Sequence, residues 1–126
     1  MINSLKYSLL VTLILNTLQF PPEERITISR SDGTEPIIII SWICPDKTIF
    51  SIIESALENY QSVDDINNIV HENIKGYKNA IWFVSTINYS RATADTIPRA
   101  NEKSDYLCWV QAPEEHIIVY VAAVST

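Results

Sequence analysis

The chain has 126 residues, 47% of them hydrophobic and 19% charged, with a formal net charge of −6. That length supports one core and excludes a second domain, and the composition excludes both a disordered chain and a basic nucleic-acid binder. The two glycines, Gly33 and Gly76, lie far apart, which removes phosphate-cradling loops built from clustered glycines and the nucleotide chemistry that needs them.

Residues 1–20 carry one positive charge, Lys6, and then a mostly apolar run from Tyr7 to Leu15 that Leu18 extends. This is the shape of a signal peptide. The run is too short to cross a hydrocarbon layer of about 30 Å as a helix, so no stable transmembrane anchor is expected. Pro21 and Pro22 follow Phe20 where a peptidase would cut, and no small-x-small pair precedes them, so a retained, buried N-terminal helix is the other reading. Residues 21–126 then make up the single domain. Secretion is the expected location and the cytoplasm its alternative.

After the prolines, EERITISR alternates apolar and polar residues with Ile26 and Ile28 on one side, the period of a half-buried strand. Ser31-Asp32-Gly33-Thr34 supplies turn chemistry, and the second arm of the hairpin, Pro36 to Ile43, holds four consecutive isoleucines suited to a pleated surface. Asp46 is placed to cap a helix whose apolar positions Ile49, Ile52, Ile53, Ala56, Leu57 and Tyr60 recur every three to four residues. Ser62, with Asp65 three residues on, opens a second helix that turns Val63, Ile66, Ile69, Val70 and Ile74 inward, and Gly76 ends it.

The remainder reads as strand. Ala80 to Val84 is continuously apolar, as for a strand buried on both faces, and Ile87 and Tyr89 alternate with polar neighbours beyond it. A polar loop, Asp95 to Asp105, precedes two strands, Tyr106 to Gln111 and His116 to Val124, joined at Ala112-Pro113-Glu114-Glu115. The order β-β-α-α-β-(β)-β-β predicts an α+β fold, a mainly antiparallel sheet with two central helices on one face. The strands around Ile37–Ile40, Ile81–Val84 and Ile117–Val121 are apolar on both sides, so the second face also needs a cover: the N-terminal helix, a second copy or another partner.

Side chains with reactive chemistry are few. His71-Glu72 is followed at the i+4 position by Lys75, so the two-histidine zinc spacing is absent and no metal or other cofactor is expected. Cys108 lies mid-strand between Leu107 and Trp109, where an inert thiol or half of a bridge belongs, and no catalytic residue is assigned. Asp64 and Asp65 occupy the first turn of a helix and favour its dipole. Trp42, Trp82 and Trp109 fall on three predicted strands as core residues. Two features accord with secretion: Asn88-Tyr89-Ser90 is a glycosylation sequon with Asn88 as acceptor, and Cys44 and Cys108 are a candidate disulfide worth roughly 4 kcal/mol, the alternative being two reduced core thiols.

From Cys44 onward, the cysteine ahead of IFSIIESAL, then WFVSTINYS from Trp82 to Ser90, then Tyr106-Leu107-Cys108 resemble the ground-like domain of nematode secreted hedgehog-related proteins. The strand cysteine of that pattern is replaced around Val84 and a final cysteine is missing from HIIVYVAAV. This resemblance implies a secreted, non-catalytic protein of the extracellular matrix or of intercellular signalling. A second stretch, ALENYQSVDDINNIVHENIKGYKNAIWFV, is similar to dynein light chains at Ala56, Leu57, Glu58, Tyr60, Asp65, Ile66, Tyr77 and Trp82. That likeness implies an intracellular homodimer that binds extended peptides at a sheet edge, with Ser85, Ile87, Tyr89 and Arg91 on the candidate edge. Under either resemblance the partner is a protein or peptide.

Overall fold

The computed structural model describes residues 22–89 and 104–124. The N-terminal segment 1–20, Arg91 and most of the polar loop lie outside these residues. Strand β1 (Glu24–Ile28) and strand β2 (Ile37–Ile43) precede helix α1 (Lys47–Asn59) and helix α2 (Val63–Ile74). Strands β3 (Ile81–Asn88), β4 (Leu107–Ala112) and β5 (Ile117–Val124) follow. All five strands pair antiparallel in one sheet of order β1-β2-β4-β5-β3, and the fold is α+β as the sequence order predicts.

Local chemistry explains the boundaries. The Asp46 carboxylate accepts from the Thr48 and Ile49 amides and so caps α1, while the Ser62 hydroxyl accepts from the Asp65 amide and caps α2. Gly76 takes φ 76° just beyond α2, a region in which a side chain is strained, and Lys78 and Asn79 continue in the left-handed region at φ 54° each. In the first hairpin Gly33 has φ 77°, and the Thr34 amide donates to Asp32 Oδ1 at 2.9 Å.

The core lies between the helix pair and one face of the sheet. Ile49, Ile53, Ala56 and Leu57 of α1 and Ile66, Val70 and Ile74 of α2 are buried against Ile37, Ile39, Trp82, Val110, Val119 and Val121. Each such aliphatic side chain contributes about 1.5–3 kcal/mol by leaving water. Between β2 and β3 lie three strand spacings, about 14 Å, which two helices side by side span.

Strand β2 holds one residue more than β4 across their shared ladder. Ile40 faces Gln111 and Ser41 faces Val110, but Ile43, not Trp42, faces Trp109. Trp42 is the extra residue of a bulge. Its Nε1 donates to Gln111 Oε1 at 2.8 Å, and its ring lies 5.9 Å from that of Trp109.

One expectation changes. Strand β3 is not buried on both faces: Trp82 is buried, whereas Ile81 and Phe83 are 60% and 65% exposed. The reason is that its odd-numbered side chains point away from the helices and, at the border of the sheet, have the side chains of one neighbouring strand, β5, beside them among the described residues. Trp82 alone of the three tryptophans is buried, since Trp42 and Trp109 are half-buried on the face away from the helices.

Candidate functional site

Strand β3 and helix α2 frame the candidate site. The backbone pairing of β3 follows from two hydrogen bonds. The Tyr89 amide donates to the His116 carbonyl at 2.8 Å, one step beyond the Asn88–Ile117 pair, and the Ala123 amide donates to the Tyr106 carbonyl at 3.0 Å. Antiparallel ladders alternate in direction, so the odd-numbered residues of β3 bond to β5 and the even-numbered ones point away from it. The N–H and C=O groups of Trp82, Val84 and Thr86 therefore line an edge with no strand beside it among the described residues.

Helix α2 runs antiparallel to β3 and leaves a groove along this edge. At one end a recess of about 350 Å³ is lined by Val63, Asp64, Asn67 and Asn68 from the helix and Val84, Ser85 and Thr86 from the strand. At the other, a recess of about 290 Å³ lies between His71, Ile74, Lys75 and Gly76 and the segment Ala80, Ile81 and Trp82. The helical residues recur one turn apart, as a single stripe along α2. Asn67 Oδ1 accepts from the Thr86 hydroxyl at 3.1 Å and ties helix to strand on the floor of the groove.

The turn between α2 and β3 is held by a polar and aromatic cluster. Asp46 accepts from the Tyr77 hydroxyl at 2.9 Å and pairs with Lys78 at 2.7 Å, in addition to capping α1. Burial alone would raise the Asp46 pKa, but the Lys78 ammonium, the Tyr77 hydroxyl and the Ile49 and Thr48 amides outweigh it and hold the carboxyl below its usual range. The hydrogen bond to Asp46 in turn raises the Lys78 pKa against the opposing effect of burial. The Trp82 ring stacks between Tyr77 and Tyr106, each 6.1 Å away, and its Nε1 donates to the Tyr77 carbonyl at 2.8 Å. This cluster fixes where β3 begins and hence where its edge faces.

The residues singled out in the sequence fall in several places. Cys44 and Cys108 are joined as a disulfide and are both buried, so Cys108 has no thiolate to offer either histidine. The Cys44 amide donates to the Glu23 carboxylate, which ties the chain before β1 to the end of β2. Asn88 ends β3 and is exposed. Ser85 and Ile87 lie on β3 and Tyr89 just beyond it, where its hydroxyl accepts from Gln111 Nε2 at 2.7 Å. The fourth residue of the candidate edge, Arg91, lies outside the described residues.

Sequence reasoning did not find the outward backbone groups of Trp82, Val84 and Thr86, nor Asp64, Asn67 and Lys75 as their neighbours. Both depend on which strand pairs with which. Among the described residues there is no group of three His, Cys, Asp or Glu side chains able to hold a metal ion, and no helix is long and apolar enough to cross a membrane. Comparison of the chain with protein-family models, curated proteins and solved structures found no match.

Proposed function

We propose that the chain is a secreted, non-catalytic interaction domain that takes up an extended segment of its partner along the outer edge of β3, which has no strand beside it among the described residues. The observation that carries this reading is an eight-residue border strand on which Ile81 and Phe83 are 60% and 65% exposed. Unpaired strand edges are templates for another chain, and folds that do not use them blunt them with charge, proline or bulges. Strand β3, IWFVSTIN, carries none of these. The Cys44–Cys108 bridge supports an oxidising compartment, as does the charged-then-apolar N-terminal sequence.

The compartment is tested by expressing the full chain in a secreting eukaryotic cell and measuring the intact mass of the product. The expected product is in the medium, starts near residue 20, lacks two hydrogens relative to the dithiol and carries glycan on Asn88. An intact Met1 with two free thiols inside the cell overturns secretion and favours the intracellular peptide-binding adaptor, which would use the same edge.

A further inference from the structure

We infer that the groove between α2 and β3 selects an extended peptide by charge order: a basic side chain, then an acidic one four residues later on the same face, running antiparallel to β3. The inference rests on the reading of β3 as a docking edge and adds the chemistry of what docks there.

Three observations carry it. First, the outward backbone groups of Trp82, Val84 and Thr86, which have no strand beside them among the described residues, repeat at the spacing that another extended backbone matches, which points to the class of occupant. Second, side chains alternate along a strand, so every second residue of an added strand points to the α2 side and enters the groove. Third, the groove has opposite charges at its two ends. Asp64 lines the recess beside Val84, Ser85 and Thr86, while His71 and Lys75 line the recess beside Ala80, Ile81 and Trp82. Asp64, His71 and Lys75 are exposed and have no ion-pair partner among the described residues.

The spacing follows from element geometry. Asp64 and Lys75 are eleven positions apart on α2, about 16 Å along the axis, with His71 about 10 Å from Asp64. Two same-face residues of a strand four apart are separated by about 13 Å, between these two values, whereas a separation of two spans only about 7 Å. The direction follows from pairing. An antiparallel occupant enters beside Thr86 and leaves beside Ile81, so it passes Asp64 first and Lys75 last, and its basic residue precedes its acidic one. Between these ends the side chain at the middle same-face position lies over Val84 and Asn67, where a small or hydroxylated residue fits.

Binding of dye-labelled peptides to the full, oxidised chain, followed by fluorescence anisotropy, tests this. The probes are threonine- and serine-based peptides of about nine residues carrying Lys-x-x-x-Glu, the reversed order Glu-x-x-x-Lys, or the same charges three apart. The expected result is roughly fivefold tighter binding of Lys-x-x-x-Glu than of either other peptide. In the double variant Asp64→Lys with Lys75→Glu, both exposed positions, the preference inverts toward Glu-x-x-x-Lys.

Equal binding of all three peptides, or a preference for the reversed order in the unaltered chain, overturns the inference. Val84→Pro separates this from failure of the docking edge itself, because it removes an outward N–H while leaving the β5 ladder its donors. Binding that is indifferent to charge order but lost in Val84→Pro sinks the charge rule and keeps the edge. Binding that survives Val84→Pro, or no binding by any peptide, sinks both. Self-association that Val84→Pro abolishes identifies a second copy of the chain as the occupant and overturns the peptide assignment.

Discussion

Cys44 lies directly across the ladder from Cys108, with Cα atoms 4.1 Å apart, because Trp42 is bulged out of the pairing two residues before Cys44. Were Trp42 paired in a regular ladder instead of bulged out of it, the pairing of Ile40 with Gln111 would continue to set Cys44 opposite Leu107, on the other face of the sheet. The bulge therefore supplies both the register and the facing that the bridge requires.

Deleting Trp42 is expected to close the bulge into a regular ladder that still sets Cys44 opposite Cys108, so the folded chain should show no thiol that reacts with a maleimide label. Inserting one residue after Trp42 should instead separate the sulfurs and expose two such thiols. Replacing both cysteines with alanine keeps the register and removes the cross-link alone. That variant should lose about 4 kcal/mol in urea unfolding, the loop-closure entropy returned to the unfolded chain.

The parity of β3 predicts unequal effects of proline at neighbouring positions. Ser85 directs its N–H toward Tyr120, so Ser85→Pro breaks a ladder bond and strands a carbonyl. Val84→Pro removes a donor that has no partner strand among the described residues. Chemical denaturation should show Ser85→Pro the less stable of the two by roughly 1–3 kcal/mol.

Trp82 joins the helix-facing core to the turn after α2 through its two ring neighbours and its bond to the Tyr77 carbonyl. Trp82→Ala should cost about 3–5 kcal/mol, measured from the shift in the urea midpoint at constant slope. Phe83→Lys changes an exposed position on the opposite face of the sheet and should stay within about 0.5 kcal/mol of the unaltered chain.

Stability should fall at both extremes of pH through the Asp46–Lys78 pair. The Asp46 pKa is lower in the folded chain than its reference of 3.8, so its contribution is complete above that pH and is lost as the pH falls through the folded value. Asp32 adds to the same limb, because the Thr34 hydroxyl and amide lower its pKa too. The Lys78 pKa is raised above 10.5, so its contribution is complete below that pH and lost as the pH climbs through the folded value. Unfolding midpoints from about pH 2 to about pH 12 should show both limbs, and Asp46→Asn should flatten the alkaline one and weaken the acid one.

Much of the fold is legible in local sequence chemistry. Asp46 and Ser62 cap where their side chains allow, Gly76 stops α2, and the periods of Ile49–Leu57 and Val63–Ile74 mark which helix faces are buried. What escapes such reading is adjacency. The apolar run from Ala80 to Val84 resembles a central strand, yet β3 borders the sheet, since a pattern of side chains records which face is dry and not which strand stands alongside. The candidate groove is hidden for the same reason: Asp64 and Lys75 read as ordinary termini of a helix until α2 is laid beside Val84 and Ile81. The bulge at Trp42 has no glycine or proline to announce it.

The order β1-β2-β4-β5-β3 has a kinetic corollary. A nascent chain that has emerged only as far as β3 holds a hairpin and a helix pair but no ladder connecting its two halves, because the strands that join them are translated afterwards. Assembly waits for the β4–β5 hairpin to wedge itself into the gap, a late and distant closure that makes refolding slow for a domain this small. Until then the isoleucine-rich arm from Ile37 to Ile43 is open to chaperones and to misassembly with neighbouring polypeptides.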